Sequence, residues 1–395
     1  MTTAASARKP TAWTNEILLA PVTLPLRLPL VHVLKGRDAV LRLESRLIAF
    51  SERCGQSGAM QDLSFFLSKP GALPRTPYLL LLSESDDLDP NNPNLDDLLG
   101  VLLIFEFRLV GLGTGAFATN DRSGRSTLIA RPEDRARVAE LACRTLLERG
   151  AQMILMSFRD VRDAGEERRA GLLRAPETGR SRAVWTSRKR TIPGYLPLAN
   201  SFDETLAKVG QRTRSNLRYY RRRAEQRLGC TFHPQIEVTR KELLAFNREC
   251  MYTVSPEIAG WRYDALKELS NPMFMGIKDG EGRWLSMLGG RRYHDRSEIF
   301  WQLNRDGYGA DSIGTVMRSY CIEHEIGLGS KRLYIEGGTP HPIRFSFVPE
   351  ELTDLVVMRR TVAAKAMRAI ARKHISGDNE LSLMLRETDL AWAAC

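Results

Sequence analysis

The sequence lacks the residue patterns of a disulfide framework, a metal site and a membrane-spanning helix. Its six cysteines and six histidines are scattered, with neither a CxxC pair nor an HxxxH spacing. This distribution predicts a reducing cytoplasmic environment and no metal cofactor. The most apolar stretch, residues 17–34, is interrupted by Pro21, Pro25, Arg27 and Pro29, whereas a spanning helix needs about 20 largely apolar residues. We therefore expect a cytoplasmic protein without a transmembrane segment.

Positive charge is abundant and unevenly distributed. The chain of 395 residues has a formal net charge of +11. Residues 180–223 contain 12 Lys or Arg and 2 Asp or Glu, a local net charge of +10. Such a concentration indicates an anionic partner, which the charge alone leaves open as nucleic acid, tRNA, a phosphorylated cofactor or an anionic membrane surface.

Two helices are predicted within residues 201–228. Ser201 and Glu204 have the spacing of a capping box, and Gly210 is expected to divide the segment. One apolar stripe runs through it at steps of three or four residues: Phe202, Leu206, Val209, Thr213, Leu217, Tyr220, Ala224 and Leu228. The second helix carries most of the local arginines, and no helix-turn-helix, zinc-finger or RNA-recognition signature accompanies it.

Residues 297–338 predict a strand, a glycine-bearing turn, a helix and a second strand. The first strand has Ile299, Trp301 and Leu303 at every second position, and this period of two is typical of a strand. Asp311 or Ser312 is expected to cap the helix. Backbone N–H groups at such a helix start beside a sheet are suited to a phosphate-bearing cofactor.

The same order of elements is predicted at residues 126–158, so that the chain contains either an internal duplication or two independent α/β units. An amphipathic basic helix is predicted over residues 355–373. The fold class is therefore α/β, with mixed sheets flanked by helices.

Two segments together resemble the GNAT superfamily of acyltransferases, in particular the cellulose-biosynthesis-protein-like branch related to the Fem aminoacyltransferases. They are the basic helix 208–226 (KVGQRTRSNLRYYRRRAEQ) and the strand–turn–helix–strand unit 297–338. The resemblance covers about residues 196–340, with a weaker echo over 78–158. It implies tandem GNAT-like domains: a degenerate one at 1–175, an acyltransferase domain at 176–350, and a basic helix and tail at 351–395.

The resemblance implies transfer of an acyl group from acetyl-CoA or another acyl-CoA, or of an aminoacyl group from aminoacyl-tRNA. The acceptor would be an amine or hydroxyl of a small molecule or an envelope precursor. The cosubstrate would contact the end of the first strand, the turn and the start of the helix: Leu303, Asn304, Gly307, Gly309, Ser312, Gly314 and Thr315.

The sequence departs from the family pattern in the phosphate-binding turn. No arginine lies within residues 307–314, and Asp306 and Asp311 would repel a pyrophosphate unless they point away. The counterpart in the first half, residues 130–134, contains no glycine and has a proline and two acids. We therefore predict a structural or substrate-shaping role for the first half.

The candidate catalytic residues lie on the last predicted strand, where Tyr334 and Glu336 share one face. Glu336 is the hypothetical general base and Tyr334 the acid; alternatively, Glu336 pairs with an arginine. Gln302, Arg214 and Arg218 are candidates for substrate binding. A nucleic-acid-binding protein that uses residues 212–223 and a non-catalytic GNAT-like protein remain alternatives.

Overall fold

The computed structural model describes residues 29–68, 74–85, 87–109, 111–119, 127–159, 183–336, 341–366 and 369 of the chain. Its helices are α1 (Arg37–Leu41), α2 (Glu44–Arg53), α3 (Leu63–Ser68), α4 (Arg135–Glu148), α5 (Phe202–Ala207), α6 (Gln211–Leu228), α7 (Arg240–Arg248), α8 (Pro256–Lys267) and α9 (Ile313–Gly327). Its strands are β1 (Leu30–Lys35), β2 (Arg75–Ser83), β3 (Leu98–Leu109), β4 (Leu112–Ala118), β5 (Leu128–Ala130), β6 (Met153–Arg159), β7 (Ala183–Pro197), β8 (Thr231–His233), β9 (Pro272–Lys278), β10 (Trp284–Tyr293), β11 (Arg296–Asn304), β12 (Arg332–Ile335) and β13 (Val348–Arg359). None of the described helices is long and apolar enough to cross a membrane.

One mixed sheet of 13 strands passes through both halves of the chain. Its order is β1-β2-β3-β4-β6-β13-β7-β12-β11-β10-β9-β8, with β5 paired to β3. In each half, antiparallel strands lead inward from an outer edge to one parallel pair, β4 with β6 and β11 with β12. This arrangement confirms the predicted α/β class with helices flanking mixed strands.

The two halves differ in the pairing of the strand that precedes the last helix of each sheet half. In the second half α9 directly connects the parallel strands β11 and β12. In the first half β5 precedes α4 but pairs antiparallel with β3, and the parallel neighbour of β6 is β4. The predicted unit at 126–158 therefore lacks its own parallel strand pair, and the internal duplication stays a prediction.

The centre of the sheet is formed by an exchange of strands between the halves. β7 follows β6 in the chain but pairs with β12, whereas β13 follows β12 but pairs with β6. β7 and β13 then pair with each other from Val348 opposite Tyr195 to Arg359 opposite Ala183. Residues 183–197, which follow the domain boundary predicted at 175/176, thus form a central strand of the sheet.

The predicted helix over residues 355–373 is wrong in its first part, because residues 348–359 form β13 and helical structure begins only at residue 362. The side chains of Leu355 and Val357 pack on one face of the sheet, and those of Val356 and Met358 pack on the other. A continuous apolar run buried on both faces is typical of a central strand, so the helical spacing was misleading here.

The pair of helices predicted in residues 201–228 is confirmed. The Ser201 hydroxyl accepts a hydrogen bond from the Glu204 amide at 3.2 Å, which caps α5, and Gly210 precedes α6. Helices α5, α6 and α9 cover one face of the second half, while α7 and α8 cover the other. This places α6 beside the start of α9.

The two halves also meet through α3 and the residue before it. Phe65 stacks on Phe300 of β11 with ring centroids 4.8 Å apart. The fully buried Arg291 of β10 donates to Asp62 at 3.0 Å and to Glu298 at 2.8 Å. The first half therefore supports the strands that lead into the candidate site.

Candidate functional site

A β-bulge in β11 lies where the pairing of this strand with the parallel strand β12 ends, and the region beside β11 beyond that point is called the gap. Gly290 lies opposite Ile299 and Gly289 lies opposite Trp301, so that Phe300 is the additional residue. Pairing of β11 with β12 ends at Ile299 opposite Ile335, although β11 continues to Asn304. A bulge bends its strand and increases the local twist. The bulge at Phe300 therefore changes the direction of β11 at the point where its pairing with β12 ends.

The bulge also changes which side chains share a face of β11. Ile299 packs with α6 and α9, whereas Trp301 and Leu303 pack on the opposite face with α7 and α8. The predicted continuous alternation over 297–304 is therefore wrong at Phe300. A signal was present in the sequence as the pair Gly289-Gly290, because a Cβ at Gly290 would lie 2.0 Å from the Glu298 carbonyl oxygen.

The start of α9 faces this gap and has unbonded backbone donors. Ser312 occupies the N-cap position with φ 49° and ψ 46°, and its side chain makes no capping bond. The N–H groups of Ile313 and Gly314 make no hydrogen bond to any residue that the structure describes. Such donors at a helix N-terminus are suited to an anionic group.

Neither aspartate of the turn accepts a hydrogen bond from these donors. Asp311 is buried and accepts from Arg223 Nε at 3.1 Å and from Arg227 Nη1 at 3.0 Å. Asp306 accepts from the Gly307 amide at 2.8 Å. The structure therefore joins the basic helix α6 to the turn through Asp311, whose charge is neutralised there.

The polar side chains at the end of β11 hold the first turn of α9. Gln302 Nε2 donates to the Gly314 carbonyl at 3.1 Å and to Asn304 Oδ1 at 2.9 Å, and Ser286 donates to the same Asn304 oxygen at 2.9 Å. A Cβ at Gly314 would lie 3.1 Å from Asn304 Nδ2. These hydrogen bonds show that Gln302 and Asn304 stabilise the first turn of α9. Contact of Gln302 with substrate and of Asn304 with the cosubstrate stays a prediction.

Of the remaining predicted cosubstrate residues, Leu303 and Gly309 differ in access. The Leu303 side chain is buried, so only its backbone is available to a ligand. Gly309 is exposed, and a Cβ there would meet only Met251, at 3.8 Å. Contact of either residue with a cosubstrate remains a prediction.

Tyr334 and Glu336 lie where β12 separates from β11. The Glu336 amide donates to the Ile299 carbonyl at 2.8 Å, which is the last backbone bond before the gap. The Tyr334 hydroxyl is buried and donates to Glu350 Oε1 at 2.9 Å. Sequence reasoning missed Glu350, because its approach depends on β13 crossing into the centre of the sheet.

The substrate arginines predicted on α6 have different surroundings. Arg218 is exposed and pairs with Asp203 at 2.6 Å. Arg214 is half-buried and forms no ion pair within the described part of the chain. The structure shows no hydrogen bond from either arginine to the other predicted site residues that it describes.

A cluster that the sequence did not predict lies on the α9 side of the gap. Thr315 Oγ1 and His341 Nε2 are 3.2 Å apart, and His341 Nδ1 accepts from the Ile343 amide at 3.2 Å. Since Nδ1 is an acceptor, the proton of the neutral ring lies on Nε2 and is donated to Thr315. Burial, together with Arg318 and Arg344, lowers the pKa of His341 to about 4.

This lowered pKa predicts a loss of stability in mild acid. The unfolded chain binds a proton at His341 near pH 6.5, whereas the folded chain does so only near pH 4. The contribution of His341 to stability is therefore fully present above pH 6.5 and is lost as the pH falls toward 4, by on the order of 1–2 kcal/mol after allowance for solvent screening. His341→Asn, which retains an acceptor for the Ile343 amide, should lose less between pH 7 and pH 4 in urea unfolding. Parallel losses in both proteins would contradict the prediction.

In the first half, the counterpart of the turn before α9 is residues 130–134, and side chains bond to its backbone groups. The amide of Ala130 donates to Gln56 Oε1 at 3.2 Å, and Arg135 Nε donates to the Ala130 carbonyl at 3.1 Å. Asp134 occupies the N-cap position of α4 without a side-chain capping bond. Within the described residues, no group of three His, Cys, Asp or Glu side chains is placed to hold a metal ion in either half.

Comparison with known proteins gives matches only at the level of structure. No family model matches the sequence, and no curated protein sequence matches it. The crystal structure of FemX superimposes with a TM-score of 0.49 and 10% identity, covering 78% of this chain and 95% of that one. A tandem GNAT protein from the clavulanic acid biosynthesis pathway gives a TM-score of 0.43 and 10% identity, covering 83% of this chain and 98% of that one.

 

L-PGS from Bacillus licheniformis gives a TM-score of 0.45 and 13% identity, covering 82% of this chain and 94% of that one. At such scores these likenesses do not determine an activity, which has to be argued from the residues of this chain.

Proposed function

We propose that the chain is an acyltransferase that moves an acyl group from acetyl-CoA or another acyl-CoA, or an aminoacyl group from aminoacyl-tRNA, to an amine or hydroxyl. The acceptor would be a small molecule or an envelope precursor. One observation supports the proposal: the pairing of two parallel strands ends at the bulge at Phe300, and the start of α9 carries amides that make no hydrogen bond to a described residue. Ligands in α/β sheets characteristically bind outside the carboxyl ends of parallel strands.

The gap offers a donor two kinds of contact. The amides of Ile313 and Gly314 would hold a phosphate of the donor, because they point out of a helix N-terminus. Beyond Ile299, none of the described strands pairs with β11 on its β12 side, so its backbone groups would bind an extended arm of the donor. The acyl group would then lie near Glu336, where the strands begin to separate.

The chemistry assigned to this point is nucleophilic acyl substitution. The acceptor nitrogen or oxygen forms a bond with the acyl carbon, and the bond from that carbon to the donor sulfur or oxygen breaks. Glu336 takes the proton of the acceptor, and Tyr334 supplies one to the leaving group. In the structure the Tyr334 hydroxyl donates to Glu350 Oε1 at 2.9 Å, so in this step it would turn from Glu350 to the leaving group.

Donor binding tests the proposal directly. Isothermal titration calorimetry with acetyl-CoA should give a measurable heat and raise the melting temperature. Ser312→Glu should weaken binding about tenfold or more relative to Ser312→Gln, because a carboxylate at the N-cap of α9 repels a phosphate while side-chain size is matched. No heat and no thermal shift at millimolar acetyl-CoA would contradict an acyl-CoA donor.

Nucleic-acid binding through α6 is a second candidate, because part of its charge is not neutralised. Arg212, Arg214 and Arg222 form no ion pair with any described residue, whereas Arg221 and Arg223 are paired. An electrophoretic mobility shift that is present at low salt and lost at high salt would favour this function. Acetyl-CoA calorimetry on the same preparation separates it from the first candidate, and failure of both would favour a non-catalytic protein.

A further inference from the structure

Tyr219 of α6 has an exposed aromatic ring near the turn that precedes α9. The residue is 55% exposed, whereas the adjacent Tyr220 packs against the core of the second half. Single exposed aromatic residues are common on protein surfaces. The surroundings of the Tyr219 ring therefore decide whether it has a role.

The Tyr219 ring is held in place by two neighbours. Its hydroxyl accepts a hydrogen bond from Arg223 Nη1 at 3.2 Å, and its ring meets that of Tyr220 edge to face, with centroids 5.2 Å apart. Arg223 in turn donates from Nε to Asp311 at 3.1 Å, and Asp311 directly precedes Ser312, the N-cap of α9. The ring is thus fixed relative to the candidate phosphate site while more than half of the residue stays exposed.

A free positive charge lies beside this ring. Arg222 follows Tyr219 by three residues, so that the two side chains are neighbours on the surface of α6. Arg222 is exposed and forms no ion pair with any residue that the structure describes. A flat aromatic ring beside an unpaired guanidinium fits a nucleotide, because a base stacks on the ring while the guanidinium binds a phosphate.

The two donors considered for the proposed function have one nucleoside in common. Coenzyme A contains a phosphorylated adenosine, and an aminoacyl-tRNA carries its aminoacyl group on a 3′-terminal adenosine. We propose that Tyr219 stacks on the adenine base of the donor and that Arg222 binds one of the donor's phosphates. This site rests on the proposed function and deepens it, because it gives the part of the donor outside the gap a contact of its own. Asp311 then positions the platform through Arg223.

Isothermal titration calorimetry with ADP and with pyrophosphate, at constant ionic strength, tests the site without any assay of activity. Tyr219→Ala should weaken ADP binding by about fivefold or more and leave pyrophosphate binding unchanged, because only the stacking of the base is lost. Tyr219→Phe is the matched variant. It keeps the ring and should bind ADP within about twofold of the native protein. Arg222→Gln should weaken the binding of both ligands, because it removes a charge that contacts phosphate.

Three results would overturn the proposal: no ADP binding to the native protein, unchanged ADP affinity in Tyr219→Ala, or an equal loss of pyrophosphate affinity in that variant. Binding of an oligouridylate that depends on Tyr219 as strongly as ADP binding does would also overturn it. In that case the surface would bind single-stranded nucleic acid in general, since stacking tolerates any base.

Calorimetry with coenzyme A and with an RNA oligonucleotide that ends in adenosine then identifies the source of the nucleoside. A Tyr219→Ala loss confined to coenzyme A would assign the site to an acyl-CoA donor, and a loss confined to the oligonucleotide would assign it to aminoacyl-tRNA. Unchanged binding of both would contradict the adenine site although a donor is bound. Loss of ADP binding in Tyr219→Ala, with no binding of either larger ligand to the native protein, would support the adenine site and contradict both donors.

Discussion

Glu336→Gln is expected to lower kcat by about 10²- to 10⁴-fold while leaving donor affinity unchanged. Glutamine has nearly the same size and keeps the backbone bond from residue 336 to the Ile299 carbonyl, but it cannot take a proton from the acceptor. The prediction rests on the proposed function. Steady-state kinetics with a donor and acceptor in hand, together with calorimetry of the donor, provide the measurement.

Glu351→Gln is the matched control, because Glu351 is exposed on β13 and takes no part in the site. It should retain full turnover. A Glu336→Gln enzyme that turns over at the native rate would refute the assignment of the general base. A parallel fall of donor affinity and kcat would instead indicate that Glu336 contributes to binding.

Arg291→Met is expected to lower the free energy of unfolding by about 3–5 kcal/mol. Arg291 is fully buried and bonded to Asp62 and Glu298, which are also buried. Methionine has a similar length but no charge, so both carboxylates would be left in the interior without a cation. Urea unfolding followed by circular dichroism measures the loss.

The electrostatics of Arg291 support this magnitude. Burial lowers its pKa, but Glu298, Tyr293 and Asp62 more than offset that effect, so the net shift is upward. Arg240→Met is the control, because the Arg240–Asp264 pair at 3.3 Å is exposed and should contribute less than about 1 kcal/mol. An Arg291→Met loss as small as that of the control would show that Asp62 and Glu298 become protonated or rearrange at little cost.

Local features of the site could be predicted because neighbouring residues determine them. Ser201 and Glu204 specify the start of α5, and Gly210 specifies the break before α6. The change of pattern around residues 305–313 likewise indicated that β11 ends and α9 begins there. In each case the signal lies within a few residues of the structure it specifies.

Features that depend on distant partners could not be predicted in the same way. Whether Asp311 repels a phosphate depends on Arg223 and Arg227, which lie on a different helix. The loss of alternation at Phe300 depends on its register with Gly289 and Gly290. Residues 355–359 of β13 were predicted as part of a helix. The spacing of apolar residues in this segment does not show that strands pair with it on both sides.

The sequence by itself determined the α/β class, the basic helix and the order of strand, turn and helix around residues 297–336. Periodicity, capping residues and glycines act over short distances, which is why these features are legible in the chain. Only the tertiary structure decided that β7 and β13 exchange between halves and that Asp311 is neutralised by arginines of another helix. These depend on which surfaces meet, since burial and charge pairing are properties of contacts between segments far apart in sequence.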